Sequence, residues 1–169
     1  MLRFMLLFLL LLTAFFVAEL LQPVEQWVIL PFTSALAKVC VTIVGLFDSH
    51  AIAYGKILQS TRDGNFAISI ERGCNGVEAV IILVSAMLAF PAPWKRKLVG
   101  IGLGFLAIQA LNLVRIISLF YLGQWNRLWF DWFHLYLWQA LIVLDALVVF
   151  LVWLRYLPHE REPVAAVAI

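Results

Sequence analysis

Long apolar runs constrain this chain more than any other feature of its sequence. Residues 4–21 are almost entirely apolar, and Arg3 is the charged residue that precedes them. A helix of about 20 such residues crosses the hydrocarbon core of a bilayer. Because no water is available there, the backbone must satisfy its own hydrogen bonds, as a helix does. With 64% hydrophobic and 13% charged residues, the chain is predicted to be an all-α polytopic membrane protein.

One membrane-embedded domain is predicted over residues 1–169. The predicted membrane-spanning helices cover residues 4–21, 77–93, 98–122 and 134–156, with a polar loop from Gly123 to Asp131 before the last of them. Residues 24–47 are interrupted by Pro31 and Lys38, so they are either a further crossing or a surface or re-entrant helix.

Residues 51–70 no longer form a continuous apolar run, and they are predicted to form a short extracytoplasmic β-hairpin. Ile52, Tyr54 and Leu58 are read as alternate positions of one strand. The segment Arg62-Asp63-Gly64-Asn65 is a strong turn signal between that strand and the next one. This hairpin delivers the chain to Cys74.

Basic residues give the predicted orientation. Lys95-Arg96-Lys97 lies in a short loop between two spans, which the positive-inside rule places in the cytoplasm. Arg155 and Arg161 follow the last span and fit the same side, whereas Arg3 fits only if residues 24–47 do not cross. Four crossings with both termini inside and an outer-surface helix over residues 24–47 are therefore predicted.

The segment Glu71-Arg72-Gly73-Cys74-Asn75-Gly76-Val77-Glu78 places one thiol between two glycines, directly before an apolar run. The start of a helix carries partial positive charge and free N–H groups, which favour a thiolate. The glycines permit close approach by a substrate chain. Because membrane helices also hold inert cysteines, this segment alone leaves a purely structural thiol open.

Two further residues are predicted to lie at the same membrane depth as Cys74. Arg115 is seventeen residues beyond Leu98, about 26 Å up a helix from the cytoplasmic side. His134 opens the last predicted span, at the same outer boundary. A snorkelling arginine and an interfacial histidine are the structural alternatives. A cysteine, a histidine and a cationic donor together form a set suited to thiol acyl transfer.

The motifs Cys74-Asn75-Gly76, Asn112-Leu113-Val114-Arg115 and His134, in this order at the ends of successive spans, resemble those of the exosortase/archaeosortase family. The resemblance covers residues 30–156, and the short chain is most similar to the compact exosortase H type. Such proteins are membrane-embedded cysteine transpeptidases or proteases that act on C-terminal sorting signals. The resemblance implies a protein of the bacterial cytoplasmic membrane with its active site facing the periplasm. Its expected partners are membrane lipid and exported proteins that end in a motif, an apolar span and a basic tail.

The resemblance also implies the roles of the site residues. Cys74 attacks the scissile carbonyl, His134 takes the thiol proton and later protonates the leaving amine, and Arg115 stabilises the oxyanion. Supporting or substrate-binding roles are expected for a second set of residues. These are Asn75, Gly76, Asn112, Glu78 and Asp131. Among them, Asn112 is expected to orient the guanidinium or to bind the substrate backbone. Glu78 is expected to position Arg115 or His134 or to complement the helix dipole, and Asp131 to orient the imidazole.

Other function classes are weighed against this one. A non-catalytic membrane subunit or a small transporter would use Arg115 and His134 to line a substrate path. A thiol oxidoreductase would pair Cys40 with Cys74 and ranks last, because the chain has no CxxC motif. A net charge of +2 does not suggest a nucleic-acid partner, and no Cys/His spacing resembles a zinc site, so no metal or cofactor is expected.

Overall fold

The computed structural model describes residues 1–62 and 66–157. It is mostly helical, with a small antiparallel sheet, which confirms the predicted class. The helices are α1 (Leu2–Glu19), α2 (Gln22–Val44), α3 (Val77–Ala89), α4 (Trp94–Trp125) and α5 (Arg127–Arg155). Two of them contain a π-helical turn, Glu25–Ile29 in α2 and Phe133–Leu137 in α5. The strands are β1 (Ala51–Tyr54), β2 (Ile57–Ser60) and β3 (Ala67–Ser69).

Helix α3 lies at the centre of a bundle and contacts α1, α4 and α5. Its residues Leu83 and Met87 pack with Ile108 of α4 and Ile142 of α5 in one buried cluster. This central helix ends at Ala89, short of the predicted residue 93. The reason is Pro91, which restricts the residue before it, and Phe90 accordingly has an extended backbone with φ −75° and ψ 136°.

Gly100 and Gly104 let α4 approach its neighbours closely. Two glycines four residues apart in an apolar helix predict close helix packing, and the structure confirms it. A methyl group at Gly100 would overlap the indole of Trp153, whose Nε1 donates a hydrogen bond to the carbonyl of Arg96 at 3.1 Å. A methyl group at Gly104 would overlap Leu83. These contacts fix α4 against both α3 and α5.

The predicted loop from Gly123 to Asp131 is wrong, because helix occupies almost all of it. Helix α4 runs to Trp125, and only Asn126 separates it from α5. The Asn126 side-chain oxygen accepts hydrogen bonds from the N–H groups of Leu128 and Trp129, so the residue acts as an N-cap that starts the next helix at once. His134 therefore does not open the last helix but lies about two turns inside it.

Within residues 1–62 and 66–157, four helices are long and apolar enough to cross a membrane, and they are α1, α2, α4 and α5. Helix α3, with 13 residues, is shorter than these, although residues 77–93 are among the predicted spans. Both ends of α2 contact segments around Cys74. Glu25 pairs with Arg72 at 2.5 Å, and Val44 joins the buried cluster against which Cys74 packs. The outer-surface position of α2 stays a prediction.

The segment over residues 51–70 has three strands in the order β1-β2-β3, where a two-stranded hairpin is predicted. The single strand expected through Tyr54 and Leu58 is interrupted, because the chain reverses at Gly55, which has φ 57°. The predicted turn over Arg62–Asn65 falls in the connection from β2 to β3. Residues 63–65 of that turn, and Arg161 in the C-terminal tail, lie outside the described residues.

The glycine contacts of α4 predict how two matched substitutions differ. Gly100→Ala is expected to destabilise the protein by about 1–3 kcal/mol, because the added methyl group overpacks against a rigid indole. Gly102→Ala is the control, since a methyl group there meets nothing within 4 Å and alanine favours helix. Thermal unfolding midpoints in detergent compare the two. Equal midpoints would contradict the close packing at Gly100.

Candidate active site

The loop between β3 and α3 holds Cys74 in a tight turn. The N–H of Cys74 donates to the carbonyl of Glu71 at 3.0 Å, and Gly73 and Gly76 have φ values of 76° and 78°. Such left-handed backbone favours glycine. At Gly76 a side chain would also meet Gln109 Nε2 at 2.9 Å. Glycine at this position therefore permits both the turn and the close approach of α4.

The side chain of Arg115 reaches this loop from α4. Its guanidinium donates from Nη1 to the carbonyl of Gly73 at 2.9 Å and from Nη2 to the sulfur of Cys74 at 3.5 Å. Arg115 is only 1% exposed. Its guanidinium does not snorkel to a surface, and its hydrogen bonds go to the segment that carries the thiol. The structure thus brings together two of the three predicted catalytic residues.

A row of polar side chains extends this contact along α4. Gln109, Asn112 and Arg115 follow at three-residue intervals and share one helix face. Gln109 donates to the carbonyl of Asn75 at 3.3 Å and accepts from Asn112 Nδ2 at 3.4 Å. Asn112 therefore supports Gln109, and within the described residues it does not bond the guanidinium as expected. The contact of Gln109 with the loop is not among the sequence predictions, although polar residues at helical spacing in an apolar helix indicate it.

Asn75 joins the loop to two helices. Its side-chain oxygen accepts from the N–H of Val77, the first residue of α3, at 3.0 Å, so one of the free N–H groups at the start of the helix is satisfied. Its amide nitrogen donates to Thr33 Oγ1 of α2 at 3.3 Å. Both Asn75 and Thr33 are buried, so this pair fixes the loop against α2 from inside the protein. Thr33 is a second supporting residue that sequence analysis did not select.

The two carboxylates nearest the thiol organise the loop. Glu78 accepts a hydrogen bond from the N–H of Gly73. It lies in the first turn of α3, which fits the expected complement to the helix dipole, and within the described residues it does not bond Arg115 or His134. Glu71 accepts from Lys56 at 2.6 Å and from the hydroxyl of Ser69 at 2.7 Å. These hydrogen bonds, first that of Lys56, lower the pKa of the Glu71 carboxyl. Both groups place negative charge near the thiol.

Burial raises the pKa of the Cys74 thiol above its ordinary value. The positive charge of Arg115 acts in the opposite direction, and the carboxylates of Glu78 and Glu71 add to the increase. The start of α3 was expected to favour the thiolate, but Cys74 lies three residues before that helix and burial has the larger effect. The resting site therefore holds a protonated thiol at neutral pH.

His134 lies in α5 and is not hydrogen-bonded to the thiol. Its imidazole stacks on Phe130 with ring centroids 5.6 Å apart, and the charge of Arg115 acts on it. In residues 1–62 and 66–157, Nδ1 is buried without a hydrogen-bond partner, and no hydrogen bond joins His134 to Cys74. Asp131 pairs with Arg127 at 3.4 Å and does not bond the imidazole it was expected to orient.

A comparison with known protein families identifies the family of this chain. The family model described as transmembrane exosortase matches residues 1–154. The chain belongs to the transmembrane exosortase family. Neither a curated protein nor a solved structure matches it. The family expected from the Cys, Arg and His motifs is thereby confirmed.

Exosortase membership and the four long apolar helices establish a multi-pass membrane protein. At the level of the family, membership supports a sorting transpeptidase. In this exosortase, a thiol, a buried guanidinium and a neighbouring imidazole lie at one end of the bundle. Such a group has the components for attack on a carbonyl, stabilisation of the oxyanion and transfer of a proton.

Charge-removing substitutions at Arg115 and Glu78 are predicted to shift the pH midpoint of Cys74 alkylation in opposite directions. The rate follows the thiolate fraction, so it should rise with pH, with a midpoint above that of an ordinary cysteine. Arg115→Gln removes the positive charge and should move the midpoint to higher pH. Glu78→Gln removes a negative charge, keeps an oxygen for the N–H of Gly73, and should move it to lower pH.

The measurement is the alkylation rate across pH in a Cys40→Ala background, which leaves Cys74 as the single thiol. Arg62→Gln is the control for a change of charge at an exposed position that pairs with Asp48 and does not contact the thiol. A midpoint that stays fixed in Arg115→Gln would contradict the coupling between guanidinium and thiol.

Proposed function

We propose that this chain is a membrane-embedded cysteine transpeptidase or protease that cleaves C-terminal sorting signals of exported proteins. The reaction takes place at the outer face of the bacterial cytoplasmic membrane and passes through a thioester on Cys74. The observation that carries the proposal is the contact of Arg115 with the Cys74 sulfur and the Gly73 carbonyl. A fully buried cation beside a partly buried thiol suits catalysis better than packing, because burying a charge is costly.

The first half of the reaction transfers the acyl group to the enzyme. As the substrate binds, His134 takes the proton of the Cys74 thiol, and the sulfur attacks the scissile carbonyl carbon. The carbonyl oxygen becomes an oxyanion, and the Arg115 guanidinium stabilises it. The carbon–nitrogen bond then breaks, and His134 returns its proton to the leaving amine.

The second half releases the product. An amine or a water molecule attacks the thioester and gives its proton to His134. The carbon–sulfur bond breaks, and the proton passes from His134 to the Cys74 sulfur, so the protonated thiol of the resting enzyme is restored. With an amine acceptor the enzyme is a transpeptidase, and with water it is a protease.

His134 and Cys74 share no hydrogen bond among the described residues, and the proposed mechanism requires one only when a substrate is bound. Catalytic hydrogen bonds are often long in an enzyme without substrate and tighten in the Michaelis complex. The unpartnered, buried Nδ1 of His134 and the nearby Arg115 support this role for the imidazole. A π-helical turn such as Phe133–Leu137 is frequent at functional sites, where it redirects side chains.

The proposed partners are exported proteins that end in a motif, an apolar span and a basic tail. Such a tail stays on the cytoplasmic side while the span crosses the membrane, so the motif meets the enzyme at the outer face. A non-catalytic subunit or a transporter is the alternative function. It would use Arg115 and His134 without chemistry at Cys74.

Processing of such a protein separates these functions. Cys74→Ala should abolish cleavage, and Arg115→Ala should reduce it by about 100-fold to 1000-fold, because the oxyanion loses its donor. Arg115→Lys should restore only part of the activity, since lysine keeps the charge but loses the planar fork of donors. His134→Gln should reduce cleavage strongly. The readout is accumulation of the uncleaved protein in membranes that contain equal amounts of each variant.

Cys40→Ala is the matched control for the loss of a thiol. Cys40 packs in the buried cluster with Leu36 and Phe120, and the proposed reaction does not use it. Its replacement should leave cleavage unchanged. Normal processing by Cys74→Ala would contradict the enzyme and favour the non-catalytic subunit.

The proposed orientation gives a separate prediction. In a background without Cys40 and Cys74, Phe47→Cys should react with a membrane-impermeant maleimide in intact spheroplasts. Phe47 is exposed and precedes the sheet, on the proposed outer side. Lys95→Cys lies in the proposed cytoplasmic loop and should react only after lysis. The reverse pattern would contradict an active site that faces the periplasm.

A further inference from the structure

Strand β3 leaves one edge of the sheet open. It pairs with β2 only, in the register Ile57↔Ser69 and Gln59↔Ala67. The N–H of Ser60 donates to the carbonyl of Phe66 at 2.8 Å, and the N–H of Ile70 donates to the carbonyl of Lys56 at 3.0 Å.

Backbone groups alternate between the two sides of an antiparallel strand. Since Phe66 and Ile70 bond towards β2, the N–H and carbonyl groups of Ala67 and Ser69 point to the open edge. In the part of the chain that the structure describes, these groups have no backbone partner. A row of free donors and acceptors of this kind is a template for another extended chain.

The open edge differs from the opposite edge of the sheet. Strand β1 packs against α2, whereas Ala67 and Ser69 of β3 are exposed. Open edges are normally protected by charged side chains or proline, and β3 contains neither. Small exposed side chains leave room for a polypeptide to approach the backbone.

One end of β3 leads to Cys74, and the other end begins next to Phe66, which connects through Phe130 to His134. Five residues after Ser69 the chain reaches Cys74. At the other end, the Phe66 ring contacts Phe130, and the Phe130 ring stacks on His134, with centroids 6.2 Å and 5.6 Å apart. A chain that lies along this edge therefore passes between the residues proposed to carry the nucleophile and the proton.

We propose that the sorting-signal segment of the exported protein binds as a fourth strand on the open edge of β3. This inference rests on the proposed function and names the mode of substrate binding. Backbone hydrogen bonds to Ala67 and Ser69 supply binding that does not depend on side chains, and alternate substrate side chains face the enzyme. Fixing the segment in an extended conformation also holds its scissile carbonyl in one position relative to Cys74.

The substrate is a better occupant of this edge than a second copy of the chain. β3 is only three residues long, and a pair of such strands gives little binding by itself. The substrate has additional contacts in the membrane through its apolar span, so a short strand is sufficient to align it. The strand also leads directly into the loop of Cys74, as alignment for cleavage requires.

Removal of one outward N–H tests the proposal. The probe is a synthetic C-terminal segment, with motif and apolar span, of an exported protein of the expected kind from the same genome. Its binding is measured to the full-length Cys40→Ala, Cys74→Ala protein in detergent, so no cleavage is required. Adding Ala67→Pro should weaken binding by about tenfold, because one backbone hydrogen bond is lost at a position where an edge strand tolerates proline. Adding Ala67→Ser keeps the N–H and should leave binding unchanged. Equal binding by the two variants would overturn the proposal.

A second measurement does not depend on how well Ala67→Pro folds. In the same thiol-free background, Ser69→Cys is oxidised with segments that carry one cysteine at successive positions. Opposite side chains in paired strands lie on the same face, so disulfides should form at every second segment position. Disulfides without this periodicity, or only between two copies of the enzyme, would overturn strand pairing. Neither measurement requires cleavage, so both test only the mode of substrate binding. Loss of cleavage in protein that contains Cys74 would instead contradict the proposed function.

Discussion

The loop from Glu71 to Gly76 is arranged around the buried guanidinium of Arg115. A charge removed from water must have acceptors, and here they are the carbonyl of Gly73 and the sulfur of Cys74. To present these acceptors, the backbone adopts left-handed conformations at both glycines of the loop. Glu78 then holds the N–H of Gly73. The geometry around the thiol therefore provides acceptors for both terminal nitrogens of one buried guanidinium, whose Nε has no partner among the described residues.

Close helix packing makes this arrangement possible. Arg115 reaches the loop because α4 lies against α3 and α5 without side chains at Gly100 and Gly104. The same helix continues ten residues beyond Arg115, to Trp125, so the guanidinium is enclosed by protein and does not reach an aqueous boundary. Burial then has two effects on the site. It strengthens the interaction of Arg115 with the loop, and it raises the pKa of the Cys74 thiol.

Under the proposed function, a thiol with a raised pKa and an imidazole without a hydrogen-bond partner among the described residues are the resting state of the site. Burial opposes the thiolate and Arg115 favours it, so the balance depends on what else enters the site. The open edge of β3 runs from Phe66, near the His134 side, towards Cys74. An exported chain on that edge would exclude water from the thiol and lie between it and the proton acceptor. Recognition and activation would then be one event.

The sequence by itself determined the membrane class, the helical content and the identity of the motif residues. Long apolar runs leave a backbone in lipid no alternative to helices, and Cys74, Arg115 and His134 stand out because polar groups in such runs are costly. Tertiary structure decided which polar groups meet. Glu78 bonds the loop and Asp131 pairs with Arg127, whereas Gln109 and Thr33 contact Asn75. The helix boundaries around Asn126 and the third strand were also decided there. These features depend on contacts between residues far apart in the chain, and local periodicity contains no information about such contacts.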